Sequence, residues 1–515
     1  MQNAAVPVHL GAPAGESPIS RIIALTGDVS MLNGSSESQL FFAAPARVVA
    51  GQDVSDLTVD FTNVLPTDVS AVVAGRDITY PFSRDAQGQF TLVSSYIDID
   101  GPGTLAIVAG RDLNLGTSNG ITSRGNLSDP GLASQGANVS VEAGVGNPNT
   151  TSYSTFIGDY LTPTGLYAQA LIDYMQSFIG GSPTEAQALD AFKLLPTREQ
   201  APLIQTVFFD ELLASGSAAA ANGPLHDNFT RGYEAIQALF PGGVPTLTKT
   251  GPNPYVGDLT LYFSRIYTLD GGDINLSAPG GNIDVGLASP PASFGITKQP
   301  SDLGIVAQST GSVNAYSYGN FEVNESRVFA ADGGNILIWS TQGNIDAGRG
   351  AKTAISAPPP TITYLDGVPT VTFAGALDGS GIQTLATTPG VSPGNVGLFA
   401  PNGVVNANDA GIVAGNLTIA ATAVLGAGNI KVSGVSIGVP VEATGLGASL
   451  AAVSAVGSSA SEAATASVVE NANRATAAPI AEAAIGWLDV FLEGFGPDVC
   501  KPQDLECIKR QPTGR

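Results

Sequence analysis

The chain repeats one phrase at a fixed distance. Residues 264–286 read SRIYTLDGGDINLSAPGGNIDVG, and residues 326–348 read SRVFAADGGNILIWSTQGNIDAG. The second phrase begins 62 residues after the first (326 minus 264), and 11 of its 23 positions are identical with no change of register. A repeat of this length is typical of solenoids, which stack similar units along one axis. We interpret the offset as three coils of about 20 residues each.

Weaker copies of the phrase lie on both sides of it. They are AGQDV at 50–54, AGRDI at 74–78, AGRDL at 109–113, AGNLTIAA at 414–421 and AGNIKVSGVSIG at 427–438. Alternating β-branched and polar residues predict a short strand with one buried face. Glycine, asparagine and aspartate favour the tight corners between such strands. The pattern therefore predicts a mainly β fold, a right-handed parallel β-helix, and the fixed offset argues against an antiparallel sandwich.

The composition is consistent with this fold. The chain of 515 residues has 63 glycines, while only 13% of its residues are charged and 7% are aromatic. This is too apolar for a disordered chain and too rich in glycine for a helical enzyme. A turn-dense β protein is expected.

One region lacks the glycine-turn phrase and instead shows helical spacing. Between Tyr153 and Gly243 we predict three or four helices, which form an inserted subdomain. Their apolar faces are Leu171, Met175, Phe178 and Ile179; Leu189, Phe192 and Leu195; Ile204, Val207, Phe208 and Leu212; and Tyr233, Ile236 and Phe240. We expect Ser182, Pro183 and Glu185 to open the second helix as a capping box, and the third helix to begin near Pro202.

These patterns predict five segments. They are N-terminal β-rich coils at 1–152, the α-helical insertion at 153–245, β-helix repeats at 246–445, an Ala/Ser-rich spacer at 446–484 and a C-terminal tail at 485–515. The tail contains the two cysteines, Cys500 and Cys507, spaced C-x6-C. No second cysteine pair or histidine lies beside them, so a local disulfide is favoured over a zinc site, with two free thiols as the alternative.

Few residues suggest catalysis or metal binding. The only histidines, His9 and His226, have no cysteine or carboxylate cluster beside them, so the sequence does not favour a histidine-based catalytic triad. Asp284 and Asp346 occupy matching positions of the repeat, with Arg349 close by, but an aspartate in a GNID corner is explained by capping its own turn. We therefore predict no catalytic residue.

Calcium-binding and cofactor sites are not expected either. The segment GGDINLSAPGGNID has double glycines nine residues apart but lacks the third glycine and the aspartate of a calcium-binding β-roll. No cofactor or metal ligand set is predicted. Some β-helix proteins nevertheless cleave polysaccharides, so a lyase or hydrolase acting on extracellular glycans stays open as the alternative function.

The net charge and the composition of individual segments limit which partners are expected. The formal net charge is −23, with no basic cluster to reverse it, so nucleic acid is not an expected partner. No stretch approaches the length of a membrane-spanning helix, and the first residues show no signal peptide. We expect this chain to be the downstream part of a longer exported polypeptide.

Residues 257–286, 323–360, 379–382 and 394–440, together with the helical run ending in YEAIQALFPGG, resemble the C-terminal region of filamentous haemagglutinin family exoproteins. The resemblance spans roughly residues 50–445. It implies a bacterial β-helical protein, secreted or held at the cell surface or outer membrane, which is exported by two-partner secretion through an outer-membrane partner. It also implies an adhesive role, for which a host-cell or glycan receptor is expected. No adhesive motif such as RGD is present.

Overall fold

The structure is a computed structural model of the chain. It describes residues 19–31, 39–81, 83–84, 90–91, 95–146, 153–162, 165–244, 252–287, 298, 302–349, 361–365, 368–372 and 379–440. The chain divides into two units, Met1–Glu442 and Ala443–Arg515. The second unit lies outside the described residues, and so do the predicted spacer, the tail, Cys500 and Cys507.

The first unit is built from two long parallel sheets, one of 19 strands and one of 10. The larger sheet consists of two columns of strands joined at a corner, so the coils have three faces. Face 1 carries the longer strands of the larger sheet, face 2 carries its short strands, and face 3 is the 10-stranded sheet. The predicted mainly β, parallel β-helical fold is confirmed.

Each coil contributes one strand to each face in turn. Face 1 contains Ser20–Ala24, Ala46–Ala50, Val69–Ala74, Thr104–Ala109, Asn138–Ala143, Ile274–Ala278, Val313–Ser317, Ile336–Ser340, the first parts of Val396–Asn406 and Leu417–Leu425, and Ser436–Ile437. We number the coils 1 to 11 by these strands. Face 2 contains Val29–Ser30, Val54–Ser55, Ile78–Thr79, Leu113–Asn114, Leu259–Thr260, Ile283–Asp284, Phe321–Glu322, Ile345–Asp346 and the last parts of Val396–Asn406 and Leu417–Leu425.

Face 3 and two hairpins complete the β structure. Face 3 contains Leu40–Phe41, Val59–Thr62, Tyr96–Asp100, Gly120–Ser123, Arg265–Thr268, Gly304–Ala307, Arg327–Ala331, Gly381–Leu385, Ile412–Ala414 and Ile430–Val432. The hairpins are Ser83–Arg84 with Phe90–Thr91, and Thr361–Leu365 with Val368–Thr372, and both are antiparallel. They leave the parallel register of the coils unchanged.

Inward-facing aliphatic side chains stack from coil to coil. On face 1 the register aligns Val48, Val72, Ile107, Val141, Leu276, Ala315, Ile338, Leu398 and Ile419. Every one of them is at most 1% exposed, and together with the inward residues of the other faces they form one continuous core. Ile345, in the second copy of the repeated phrase, is also fully buried in that core. Since each coil covers its neighbours, burial along the axis supplies the main stabilisation.

The repeat offset corresponds to two coils, so the interpretation of three coils is wrong. Ile274 pairs with Val313, and Val313 pairs with Ile336. The first step is 39 residues (313 minus 274) and the second is 23 (336 minus 313), which sum to 62. The extra residues of the longer coil lie between its face 2 strand, which ends at Asp284, and its face 3 strand, which starts at Gly304.

A column of aspartates and asparagines lines the corner between faces 1 and 2. Each of these residues immediately precedes a face 2 strand, and its side-chain oxygen accepts a hydrogen bond of 2.7–3.1 Å from the backbone N–H at the same corner of the next coil. We call this column the Asx ladder: Asp28, Asp53, Asp77, Asp112, Asp258, Asn282, Asn320 and Asn344. It satisfies backbone donors that a corner leaves without a strand partner.

Arginines offset the charge of the N-terminal part of the Asx ladder. Arg76 binds Asp53 with two hydrogen bonds of 3.0 and 2.6 Å, and Arg111 binds Asp77 in the same way. Burial alone would raise the pKa of Asp53, but its hydrogen bond with Arg76 holds that pKa below the usual value. The arginine of each GRD triplet thus contacts the aspartate of the preceding coil, which explains why the two residue types recur together.

Among the described residues between the face 1 and face 2 strands of coil 5 there are five helices. They are α1 Tyr153–Tyr160, α2 Ala168–Ile179, α3 Glu185–Leu194, α4 Thr197–Ala219 and α5 Thr230–Leu239. The four predicted helical patterns correspond to α2 to α5, and α1 is an additional helix. The buried carboxylate of Glu211 on α4 ties them together, since Arg231 on α5 binds it at 2.6 and 2.7 Å and Tyr167 donates to it at 2.6 Å.

Two predicted helix starts are wrong. The capping box of α3 uses Thr184 and Gln187, because Gln187 N donates to Thr184 Oγ1 and Thr184 N donates to Gln187 Oε1. Ser182 and Pro183 precede it. Helix α4 starts at Thr197, so Pro202 lies inside the helix. A proline this near the N-terminus removes only one early hydrogen bond, which the long helix tolerates.

Helix α4 runs along the solenoid axis. Burial lowers the pKa of Arg47 in coil 2, and the nearby charge of Arg198 at the start of α4 lowers it further. Farther along the helix, Gln205 Nε2 donates to Ser140 Oγ in coil 5 at 2.6 Å. A Cβ on Gly216 would lie 2.2 Å from the ring of Phe399 in coil 9. Its 23 residues extend about 35 Å, which matches seven coil spacings of about 4.8 Å.

The helices cover an outward-facing aromatic column on face 1. The register aligns Tyr316, Trp339, Phe399 and Ala420 on successive coils, and the three aromatic side chains are fully buried. Tyr316 contacts Phe208 of α4, with ring centroids 5.5 Å apart. Gly216 and Gly232 allow the close approach, because a Cβ on Gly232 would lie 2.5 Å from Trp339. The helices and face 1 therefore share a second hydrophobic core.

The Asx ladder predicts different effects for two substitutions of the exposed Asp112. Asp112→Ala removes the acceptor of the Asp258 N–H, whereas Asp112→Asn keeps an oxygen there. We expect the alanine variant to lose about 1 kcal/mol of stability and to exchange the Asp258 amide faster. The asparagine variant should resemble the wild type. Hydrogen exchange with mass spectrometry and thermal unfolding measure both, and equal behaviour of the two variants would contradict the ladder's role.

The close packing of α4 predicts that Gly216→Ala destabilises the protein by about 1–3 kcal/mol, because the added methyl group overlaps the Phe399 ring. Gly158→Ala is the matched control. Gly158 lies within α1, and a Cβ there meets nothing within 4 Å. This control should stabilise the helix by about 0.5–1 kcal/mol. Thermal unfolding compares the two variants, and a stable Gly216→Ala variant would show that α4 can move away from face 1.

Candidate functional site

The carboxylates of the repeated phrase cap turns. Asp284 accepts from Gly286 N at 2.9 Å, and Asp346 accepts from Gly348 N at 2.7 Å. They do not stack on each other, because Glu322 of the intervening coil pairs with both positions. Burial raises the pKa of Asp284. Each aspartate thus has a local backbone partner, as expected for a turn cap.

Among the described residues, neither the region around His226 nor the corners that contain Asp284 and Asp346 form a metal site. His226 lies in the exposed turn between α4 and α5, and its Nδ1 is 3.1 Å from Asp227 Oδ2. Arg349 donates its backbone N–H to Asn324 O. In the described part of the chain, no group of three or more His, Cys, Asp or Glu side chains is arranged to hold a metal ion. His9 lies outside the described residues.

The densest charged cluster lies on the outside of face 3. Arg124 contacts Asp60 at 2.7 Å, Asp98 at 3.2 Å and Asp100 at 2.8 Å. Tyr96 Oη donates to Asp60 Oδ2 at 2.9 Å. Three carboxylates from coils 2 and 3 therefore share one guanidinium from coil 4, which leaves the cluster with an excess of negative charge.

This cluster is better suited to joining coils than to catalysis. Burial raises the pKa of Asp98 to about 6, with Arg124 opposing the shift and the charge of Asp60 adding to it. A carboxyl group of this kind can hold a proton, as a general acid does. However, Arg124 binds at least one oxygen of each of the three carboxylates, which ties them to a partner within the protein. This geometry does not favour the polysaccharide-cleaving alternative.

An open cleft lies where the helical insertion meets the corner between faces 1 and 2. It has a volume of 680 Å³ and is lined by His226, Asp227, Asn228, Phe229, Thr230, Tyr233, Pro401, Asn402, Ala421 and Thr422. We call it the helix–corner cleft. One wall comes from the α4–α5 turn and the start of α5, and the other comes from the corners of coils 9 and 10. Its size is within the usual range for small-molecule sites.

The walls of the helix–corner cleft are fixed by contacts behind them. Tyr233 and Phe229 pack edge-on against buried Trp339, with ring centroids 6.1 and 5.8 Å away. Asn402 Nδ2 donates to Tyr233 Oη at 3.2 Å and to Thr341 O at 2.9 Å. The cleft therefore presents two aromatic rings and an amide that are positioned before any ligand arrives.

Residues 333–441 match the model of a family described as filamentous haemagglutinin family outer membrane protein. The family resemblance predicted from the sequence is confirmed there. The matched region is narrower than the predicted resemblance and spans coils 8 to 11. The comparisons with curated proteins and with solved structures found no match.

The region 333–441, which matches the family model, supplies one wall of the helix–corner cleft and most of the aromatic column. Asn402, Thr422, Trp339 and Phe399 all lie within it, whereas His226 to Tyr233 lie before it. Among the residues that the structure describes, none of the helices has the length and apolar character needed to cross a membrane.

Sequence patterns identified no residue in either wall of the cleft as a binding residue. Tyr233 and Asn402 are 169 residues apart, and no pattern in the sequence pairs them. The Arg124 cluster was missed for the same reason. A signal was present for the aspartates, since YIDID at 96–100 alternates acidic and aliphatic residues on a strand that was not part of the repeated phrase.

Asp98 predicts a specific pH dependence of stability. Because its pKa is raised in the folded state, the native protein holds this proton more tightly, and the resulting stability is present below about pH 4 and lost as the pH rises through about 6. We expect up to about 2 kcal/mol from this group. Asp98→Asn should flatten the change in melting temperature between pH 4 and 7. Asp173→Asn, on the exposed side of α2, should keep the wild-type profile, and an unchanged Asp98→Asn profile would contradict the shift.

Proposed function

We propose that this chain is a surface-exposed or secreted structural and adhesive module of a filamentous haemagglutinin-like protein. The observation that carries the proposal is the match of residues 333–441 to that family of outer membrane proteins, on coils that belong to a continuous parallel β-helix. Ten steps between eleven coils give the solenoid a length of about 48 Å. Such a rigid stack displays side chains on three outer faces, which suits a protein that projects from a surface.

The architecture also supports the proposed export route. Parallel coils satisfy their backbone groups mainly with the preceding and following coil, so a chain that arrives progressively can add one coil at a time. An outer-membrane secretion partner is accordingly the proposed export partner, and a host-cell or glycan receptor is the proposed target. The helical insertion is proposed as an inserted subdomain of 153–245, between coil segments 1–152 and 246–445.

Cell-surface localisation tests this proposal. Antibodies raised against the purified chain should label intact, unpermeabilised cells or detect the protein in the culture medium, while a cytosolic marker stays inside. Beads coated with the chain should adhere to host cells more than beads coated with an unrelated acidic β-rich protein. Detection only in the cytosol would contradict the surface assignment, and equal adhesion of both bead types would contradict the adhesive role.

A further inference from the structure

The lining of the helix–corner cleft has the chemistry of a sugar site. Phe229 and Tyr233 supply aromatic rings, and both side chains are half-buried rather than enclosed. Five lining residues carry neutral hydrogen-bonding groups: Asn228, Thr230, Tyr233, Asn402 and Thr422. A pyranose combines apolar C–H faces with an edge of hydroxyl groups, so an aromatic ring beside amides and hydroxyls complements it.

The hydrogen-bonding groups of the cleft keep capacity for a ligand. Tyr233 Oη accepts from Asn402, so its own hydroxyl hydrogen is directed elsewhere. Thr422 Oγ1 donates to Gly403 O at 2.6 Å, which leaves its oxygen as an acceptor. The cleft can therefore both donate to and accept from the hydroxyl groups of a sugar.

Charge favours a neutral ligand over an anionic one. Among the described lining residues, Asp227 is the only carboxylate, no lysine or arginine accompanies it, and His226 is its ion-pair partner when protonated. The whole chain carries a formal net charge of −23, which repels sulfated and sialylated glycans. Phosphate-rich ligands are disfavoured for the same reason.

We propose that the helix–corner cleft binds a neutral saccharide. Tyr233 and Phe229 contact the C–H face of one sugar ring, and Asn402 and Thr422 bond to its hydroxyl groups. Because Trp339 and Thr341 hold these side chains in place, binding needs little rearrangement of the site. The assignment rests on the proposed adhesive function, and it names the class of receptor that this function would use.

A glycan array and calorimetry with the full chain test the proposal. The array carries neutral galactose-, glucose- and mannose-terminated oligosaccharides beside sialylated and sulfated ones, and the best neutral binder is then titrated. We expect binding to neutral glycans alone. Asn402→Ala and Tyr233→Phe should each weaken it by about tenfold. Tyr174→Phe is the matched control, because it removes one hydroxyl from a half-buried tyrosine of the insertion, where Tyr174 donates to Glu199 O, and should bind like the wild type.

Several results would overturn the assignment. They are the absence of neutral-glycan binding, a preference for sulfated or sialylated glycans, or undiminished binding by both cleft variants when circular dichroism shows them folded. Adhesion of coated beads separates this inference from the proposed function. If the cleft variants adhere as well as the wild type, the saccharide site is contradicted but the adhesive function is not. If the chain is found only in the cytosol, the proposed surface module is contradicted irrespective of glycan binding.

Discussion

The hydrogen bond from each corner amide to the side chain of the preceding coil is the interaction on which the solenoid depends. Strands on three faces pair readily, but the chain must change direction between them, and there its backbone loses strand partners. The Asx ladder supplies partners at one corner from Asp28 to Val404. At the corner before face 1, Asn138, Asp273, Ser312 and Asn335 act in the same way. These contacts keep successive coils in register, so the aliphatic stack inside can be continuous.

That regular register makes the outer surface of face 1 a place for specific chemistry. Outward positions follow the same column as the core, so aromatic residues on consecutive coils form a ridge, and helices α4 and α5 cover it. Trp339 links the two regions, because it belongs to the ridge and also supports Tyr233 and Phe229 at the helix–corner cleft. The cleft is thus a product of the insertion docking onto a regular scaffold, with its shape set by buried packing behind it.

Local patterns predicted the strands, the corners and four of the helices, because each depends on residues close in sequence. The number of coils per repeat was wrong because the 62-residue offset combines unequal coils of 39 and 23 residues, and only spatial pairing shows where one coil ends. The start of α3 was misplaced by a rival capping residue, Thr184. The cleft depends on contacts between the helical insertion and coils 9 and 10, and the Arg124 cluster depends on contacts between coils 2, 3 and 4. The repeated phrase carries no signal for either.

The position of the helical insertion has a consequence for the order in which the molecule can be completed. Gly216 precedes its packing partner Phe399 by 183 residues (399 minus 216), and the intervening chain forms α5, the rest of coil 5, coils 6 to 8 and part of coil 9. When the chain is delivered from its N-terminus, α4 exists before most of the surface that it covers. The part of its apolar side that packs on the later coils stays uncovered until those coils form. In the last steps of assembly, each added coil then buries about one more turn of α4.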